Sequence, residues 1–409
     1  MERIVRQFVA ALHALPPMAT IHSPPMRPDV KHVRLHATSE REQMENLQTY
    51  FLNFPQFAVT WGIFFGAGLL SFFFLLWRDR SDFSFREMFE HCVPFNVLTS
   101  KSFHMDVIIY VWRKLTDLVF VAPGLAATAL VSSATDFGLR SVFADFSPLG
   151  INYVVTFACT IVMLIAAEFA DYLVHYLEHK VPALWELHKV HHSADFLNPL
   201  TSKRGHSFPL VYGGIAAGVI TGTFAGLFMF LFGISLVEAV ALRAVASKIF
   251  TIWTLDPLKH SHIPVSLGWF DRFLISPHMH QIHHSKVERH WDKNFGTNLS
   301  IFDWMFGTGY RPERGEKAVF GISGYSNASL QKFNTFKGAY FDPVMRSWKA
   351  IVAQVRPDVH AKPGAKQDPP TFIIETQKRT EQGAETAGSA PAAIGPRPPS
   401  PASNSGTIG

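Results

Sequence analysis

The chain has 409 residues, room for two or three soluble domains, yet 48% of it is hydrophobic, 37 residues are Phe and only 17% are charged, against roughly 25% in soluble proteins. That balance points to a membrane protein. The net charge of +5 is dispersed, which argues against a nucleic-acid partner and fits the Lys and Arg bias of cytoplasmic loops, while two cysteines, Cys92 and Cys159, exclude a disulfide framework and a thiolate metal site.

In chain order, residues 1–53 are polar, interrupted by Pro16-Pro17 and Pro24-Pro25, and read as a poorly ordered arm. The apolar stretch Phe8 to Leu15 is too short for a signal peptide. Residues 54–148 hold membrane helices. Ala58 to Trp77 runs 20 residues without a charge and stops at Arg78-Asp79-Arg80, long enough for about 30 Å of hydrocarbon. Val107 to Val131 carries Arg113, Lys114 and Asp117 in its first half, which places that half at the interface or inside a bundle. Residues 149–310 open with a third uncharged run, Leu149 to Ala167, and contain a fourth, Pro209 to Ile234. Leu236 to Leu255, with Glu238, Arg243 and Lys248, is expected to be the returning arm of a hairpin. Residues 311–355 extend this region. Residues 356–409, rich in Pro, Ala, Gly, Ser and Lys, lack the apolar content for a core and are expected to be disordered. The pattern implies an all-α integral membrane bundle of about four to five transmembrane or hairpin helices.

Thirteen of the 20 histidines fall between His175 and His290. His175 and His179 lie four apart, and His188-Lys-Val-His191-His192 and His280-Gln-Ile-His283-His284 repeat one pattern, so each cluster aims its imidazoles to one side of a helix. If Leu149 to Ala167 delivers the first two clusters to one membrane face, the hairpin from Pro209 to Leu255 returns the chain to that face, where the third joins them. Lys180, Lys189, Lys203 and Arg204 make this face cytoplasmic by charge bias. Eight nitrogen donors exceed the need of one tetrahedral zinc and suit a pair of metals with positions left open, as iron that activates dioxygen requires. His260, in His260-Ser-His262, is the preferred ninth ligand. Asp171 precedes His175 by four residues and can accept from a ligand's second nitrogen. His206, His278 and His290 are neighbours that the pattern does not require; His206 and His290 join Asp171 as the expected partners behind the ligands. His262 is likewise a neighbour, while His13, His22, His32, His36 and His360 read as ordinary surface or core residues. A transporter or sensor is the alternative class, but a transporter would hold its ligands at mid-bilayer. A zinc hydrolase would show His-Glu-x-x-His, which is absent from the sequence. Gly and Phe between Gly213 and Gly233 offer either an apolar channel or plain helix packing.

The run from Asp171 through His175-Tyr-Leu-Glu-His179 to Trp185-Glu-Leu-His188-Lys-Val-His191-His192-Ser193 resembles the fatty acid hydroxylase and sterol desaturase superfamily. So do Ser276-Pro277-His278-Met-His280-Gln-Ile-His283-His284-Ser285, Asp292-Lys-Asn-Phe-Gly296 and Phe302-Asp-Trp-Met-Phe-Gly-Thr308. The likeness spans about residues 150–310 and departs at Tyr176, where the family often has Arg, and at Arg204-Gly-His206-Ser-Phe-Pro209, a partial match to Arg-x-His-Pro. It implies a multi-pass enzyme of a bacterial inner membrane or the endoplasmic reticulum, with two iron ions held by His175, His179, His188, His191, His192, His260, His280, His283 and His284. Such an enzyme uses dioxygen and two electrons to hydroxylate or desaturate a fatty acyl chain, sterol or related lipid. The sequence carries no haem-attachment or dinucleotide motif, so electrons are expected from a separate carrier, a b-type cytochrome or ferredoxin, with its reductase.

Overall fold

The computed structural model describes residues 56–79, 84–92, 95–313 and 315–355; the expected N-terminal arm and C-terminal tail lie outside the described residues. Among these the secondary structure is helical, with a single isolated bridge, Leu274 to Leu299, and no strand. The main helices are α1 (Gln56–Asp79), α2 (Phe85–Cys92), α3 (Lys101–Val142), α4 (Tyr153–Lys180), α5 (Pro182–His192), α6 (Phe208–Phe232), α7 (Leu236–Trp253), α8 (Pro277–His283) and α9 (Asp342–Val355).

Three of them, α3, α4 and α6, are long and apolar enough to cross a membrane, and α1 carries a shorter apolar stretch, Trp61–Phe74. The span expected at Val107 to Val131 is the middle of α3, which has 42 residues, about 63 Å at 1.5 Å per residue, or twice the hydrocarbon thickness. Its charges fall toward one end. There Arg113 donates to Asp117 at 3.0 Å and to the Lys203 carbonyl at 3.3 Å, so the guanidinium is satisfied by protein. The starts are set locally: Ser100 and Asn152 accept from the backbone of Phe103 and Val155 to cap α3 and α4, and Pro182 opens α5 directly after α4 because Val181, before a proline, disfavours the helical conformation.

Helices α3 and α6 run parallel in close contact along glycines spaced by four. A Cβ at Gly218 would lie 2.7 Å from the Gly124 carbonyl oxygen, and one at Gly226 only 2.4 Å from that of Ser132. Of the two roles the sequence offered for this stretch, these glycines perform packing, letting two backbones approach where lipid supplies no hydrophobic drive. Gly233, at φ 70°, ends α6, and a capping box of Ser235 and Glu238 starts α7, giving the expected hairpin. Cys159 and Met163 of α4 share a core with Ala225 and Phe228 of α6 and Ala239 and Leu242 of α7.

α2 folds back along α1, with His91 Nε2 and Ser71 Oγ 3.2 Å apart. Beyond the spans, Met105, Ile109 and Val190 form a second core with Ile322, Leu330 and Phe333, and α9 is tied to α5 by Arg346 and Glu186 at 2.8 Å. Residues after 311 thus cover the helix that carries the second histidine cluster.

Candidate metal centre

The last turns of α4 present His175 and His179, α5 presents His188, His191 and His192, and α8 with its C-cap presents His280, His283 and His284. His260 comes from the short turn after α7, whose Lys259 is buried and donates to the Thr297 carbonyl and to Asp256. The structure gathers these nine side chains into two groups: His175, His179, His188, His192 and His283, and His191, His260, His280 and His284, with the donor atoms of each group within 4.8 Å of one another. The groups are adjacent, the rings of His192 and His284 stacking at 4.5 Å.

The nitrogens converge through Nε2. In the first group His188 Nε2 lies 3.2 Å from His175 Nε2 and 3.1 Å from His192 Nε2; in the second, His260 Nε2 lies 3.2 Å from His191 Nε2 and 3.1 Å from His280 Nε2, which is 3.1 Å from His284 Nε2. The opposite ring nitrogens fix the tautomers. His175 Nδ1 donates to the Phe295 carbonyl at 2.7 Å, His191 Nδ1 to that of Arg204 at 2.9 Å, His283 Nδ1 to that of Lys293 at 2.8 Å, and His188 Nδ1 faces Glu178 Oε2 at 2.8 Å. A carbonyl can only accept, so the Nε2 atoms of these rings carry lone pairs turned toward one another. Lone pairs 3.1 to 3.2 Å apart repel unless a cation lies between them. Such edges suit ligands around one ion at about 2.1 Å, which span about 3.0 Å at right angles and about 3.4 Å in a tetrahedron. His179 Nε2 and His283 Nε2 are buried with no hydrogen-bond partner, the state of a donor atom reserved for a metal. Burial foremost, then the adjoining imidazoles, hold His191, His192, His280, His283 and His284 well below the usual histidine pKa, and burial pushes His260 down to about 3. Neutral imidazoles are the form a metal binds.

The acceptors behind the ligands are themselves anchored. Asp292 and Asn294 adopt positive φ, a conformation Asp and Asn tolerate, and Asp303 accepts from the backbone of Phe295 and Gly296 at 2.7 and 2.8 Å. A Cβ at Gly296 would fall 2.2 Å from the Leu299 carbonyl oxygen, so this turn, which offers the Lys293 and Phe295 carbonyls, closes only around glycine. Arg204, fully buried, bonds Asp106 at 2.8 Å and Asn334 at 2.8 Å, fixing the carbonyl that His191 uses.

Among the described residues, two carboxylates stand beside cluster imidazoles: Asp292, 3.9 Å from His179 Nδ1, and, within hydrogen-bond distance of His188, Glu178, which sequence reasoning passed over although it stands inside the first cluster; it also accepts from Tyr212 at 2.7 Å. No hydrogen bond joins Asp171 to a cluster imidazole among the described residues, since His175 Nδ1 is taken by Phe295. His206 is not brought to the centre either: it donates to the Tyr340 carbonyl at 2.9 Å and accepts from Phe208 N at 3.1 Å. His290 and His278 gather instead on Glu316, through its carboxylate at 2.7 Å and its carbonyl at 2.9 Å. His262 packs edge-on to Phe64 and His91. Of the four basic residues that suggested a cytoplasmic face, Lys189 and Arg204 are buried in ion pairs with Glu186 and Asp106.

A family model described as fatty acid hydroxylase matches residues 160–308. Ornithine lipid hydroxylase OlsE of Rhizobium tropici is 32% identical over 161 residues, 39% of this chain and 44% of that protein. Alkylglycerol monooxygenases of Xenopus tropicalis and Homo sapiens are each 27% identical over 160 and 159 residues, 39% of this chain and 32% of theirs. The chain therefore spans less than half the length of these relatives, and no solved structure matches it. The matched segment holds all nine clustered imidazoles together with Glu178, Arg204 and the Asp292 to Gly296 turn, so the similarity to the fatty acid hydroxylase family falls on the residues that build the centre.

Proposed function

We propose that the protein is a membrane-bound lipid hydroxylase whose nine clustered histidines hold two iron ions. The observation that carries this is the pair of adjacent imidazole groups with Nε2 lone pairs turned inward, built in part on the last turns of α4, a helix long and apolar enough to cross a membrane. Iron bound there would supply the activation of dioxygen and the oxidation of an unactivated C–H bond. The protein's own part is geometric: α4, α5 and α8 hold the donors rigidly, Glu178 and the carbonyls of Phe295, Arg204 and Lys293 keep Nδ1 of His188, His175, His191 and His283 protonated, and the bilayer supplies the hydrocarbon substrate laterally. The names of the relatives favour hydroxylation over desaturation. The exposed Lys203, Arg272, Arg289 and Arg311 support a cytoplasmic centre and a surface for an acidic electron carrier, a b-type cytochrome or ferredoxin.

The test is protein purified without chelators, assayed for metal, and cells with and without it compared by lipid mass spectrometry. Two irons per chain and a lipid gaining one oxygen, dependent on dioxygen and reductant, support the proposal; one zinc and an unchanged lipid profile overturn it, and a lipid losing two hydrogens reassigns the outcome to desaturation. Replacing His191 or His283 by Ala, one from each group, should abolish turnover and lower the metal content while leaving membrane insertion intact. Full activity in either variant would remove that histidine from the ligand set.

A further inference from the structure

The turn Gly268–Arg272 and the short helix Ile301–Met305 are locked together beside α4. Ser300 N donates to the Phe273 carbonyl at 3.0 Å and Ser300 Oγ to that of Asp271 at 2.9 Å, which Trp304 Nε1 also reaches at 3.3 Å. This rigid corner leaves its largest apolar side chains outside: Trp269 is 61% exposed, Phe270 58%, Met305 66% and Phe306 56%. A contiguous aromatic surface of this kind is costly in water and marks an interaction site. Within it lies an open hollow of about 750 Å³ lined by Arg272, Phe273, Ile301, Trp304, Met305 and Arg311.

Depth along α4 says what covers it. Phe302 packs against Phe169 with ring centroids 5.3 Å apart, and Phe306 stacks on Tyr172 at 5.5 Å. The uncharged run of α4 ends at Ala167; Tyr172 is five residues further, about 7.5 Å along the axis. The headgroup layer on each side of the hydrocarbon is about 5 to 8 Å thick. The corner therefore sits at headgroup depth, where Trp side chains concentrate. The two arginines fit the same level. Arg272 pairs with no acid among the described residues, and Arg311 reaches only Asp271, at 3.9 Å, whose carboxylate already accepts from Ser266 Oγ and Leu267 N.

We propose that this hollow seats an anionic phospholipid of the surrounding bilayer, its phosphate between Arg272 and Arg311 and its upper acyl chain across Phe273, Ile301, Trp304 and Met305. Guanidinium groups suit phosphate oxygens, and the apolar floor between them demands an attached chain, which free phosphate lacks. The seat is independent of the metal reading: it requires only that α4 crosses the bilayer.

The experiment uses the full chain in phosphatidylcholine vesicles containing a minor, equal fraction of brominated phosphatidylglycerol or brominated phosphatidylcholine, with the signal of Trp304 taken as the difference between wild type and Trp304→Phe. The seat predicts quenching by both lipids, with the anionic one enriched by up to about fivefold per arginine. In Arg272→Gln/Arg311→Gln the anionic excess should vanish while neutral quenching stays, which also reports that the corner is folded; Arg272→Lys/Arg311→Lys should keep most of the excess. Equal quenching in wild type, or an excess that survives the Gln substitutions, overturns the headgroup site. Absence of quenching by either lipid overturns the bilayer contact altogether.

Discussion

Glu178→Gln isolates the role of a charge at the centre while keeping its shape. Glu178 is 5% exposed; one carboxylate oxygen accepts from His188 Nδ1 at 2.8 Å and the other from the Tyr212 hydroxyl at 2.7 Å. The Gln carbonyl can still accept from His188, and its amide can still face the Tyr212 hydroxyl, so the ring stays in place. What is lost is the anion behind the His188 ring, whose Nε2 lies between those of His175 and His192. A charge-assisted hydrogen bond contributes about 1.5 to 3 kcal/mol against about 1 for a neutral one. The difference, about 0.5 to 2 kcal/mol, is about 2- to 30-fold at about 1.4 kcal/mol per tenfold, and it overlaps the about 10- to 100-fold cost of losing a partner behind a metal ligand at roughly tenfold. The assay is competition for iron(II) between the metal-free variant and a coloured chelator in detergent, with thermal unfolding of the metal-free form as the control. The expected result is affinity reduced by about tenfold at one site, with the metal-free melting temperature little changed. Unchanged affinity at both sites would falsify the assignment of Glu178 as a positioning residue, and a collapse of the metal-free protein would make its role structural.

Burial pushes the pKa of His206 down to about 4, below the unfolded value near 6.5. Its contribution to stability is therefore complete above pH 6.5 and lost as pH falls toward 4, on the order of 3 kcal/mol across that window. His206→Gln should flatten the pH dependence of the melting temperature over this range, and parallel wild-type and variant profiles would refute the reasoning. Arg204→Ala leaves Asp106 buried without its cation, which costs about 3 to 5 kcal/mol; thermal unfolding should show it, and metal should be lost first from the group containing His191. Gly226→Ala places a Cβ 2.4 Å from the Ser132 carbonyl oxygen and should destabilise the α3–α6 pair by about 1 to 3 kcal/mol; Gly62→Ala, which meets nothing within 4 Å, is the control.

The clustering of the nine imidazoles was legible because spacing on a helix fixes where side chains point: the two repeats of His-x-x-His-His and the hairpin that reunites them are both written in residue types. The groups behind the donors were not, since three of the four identified acceptors are the backbone carbonyls of Phe295, Arg204 and Lys293, and a carbonyl carries no residue signature. The spacing of Asp171 and His175 allowed a hydrogen bond along one helix, but a loop 120 residues away reached the same nitrogen first. What the sequence does record is the apparatus that holds those carbonyls: Asp and Asn where φ is positive, a glycine where a Cβ would collide, Asp303 gathering two backbone amides, and a buried Arg–Asp pair. Residues of this kind are not donors in either imidazole group. Recognition by ligand type therefore finds the donors and stops. The orientation of the donors resides in turns whose residues are chosen for conformation, and it becomes visible only when the chain is folded.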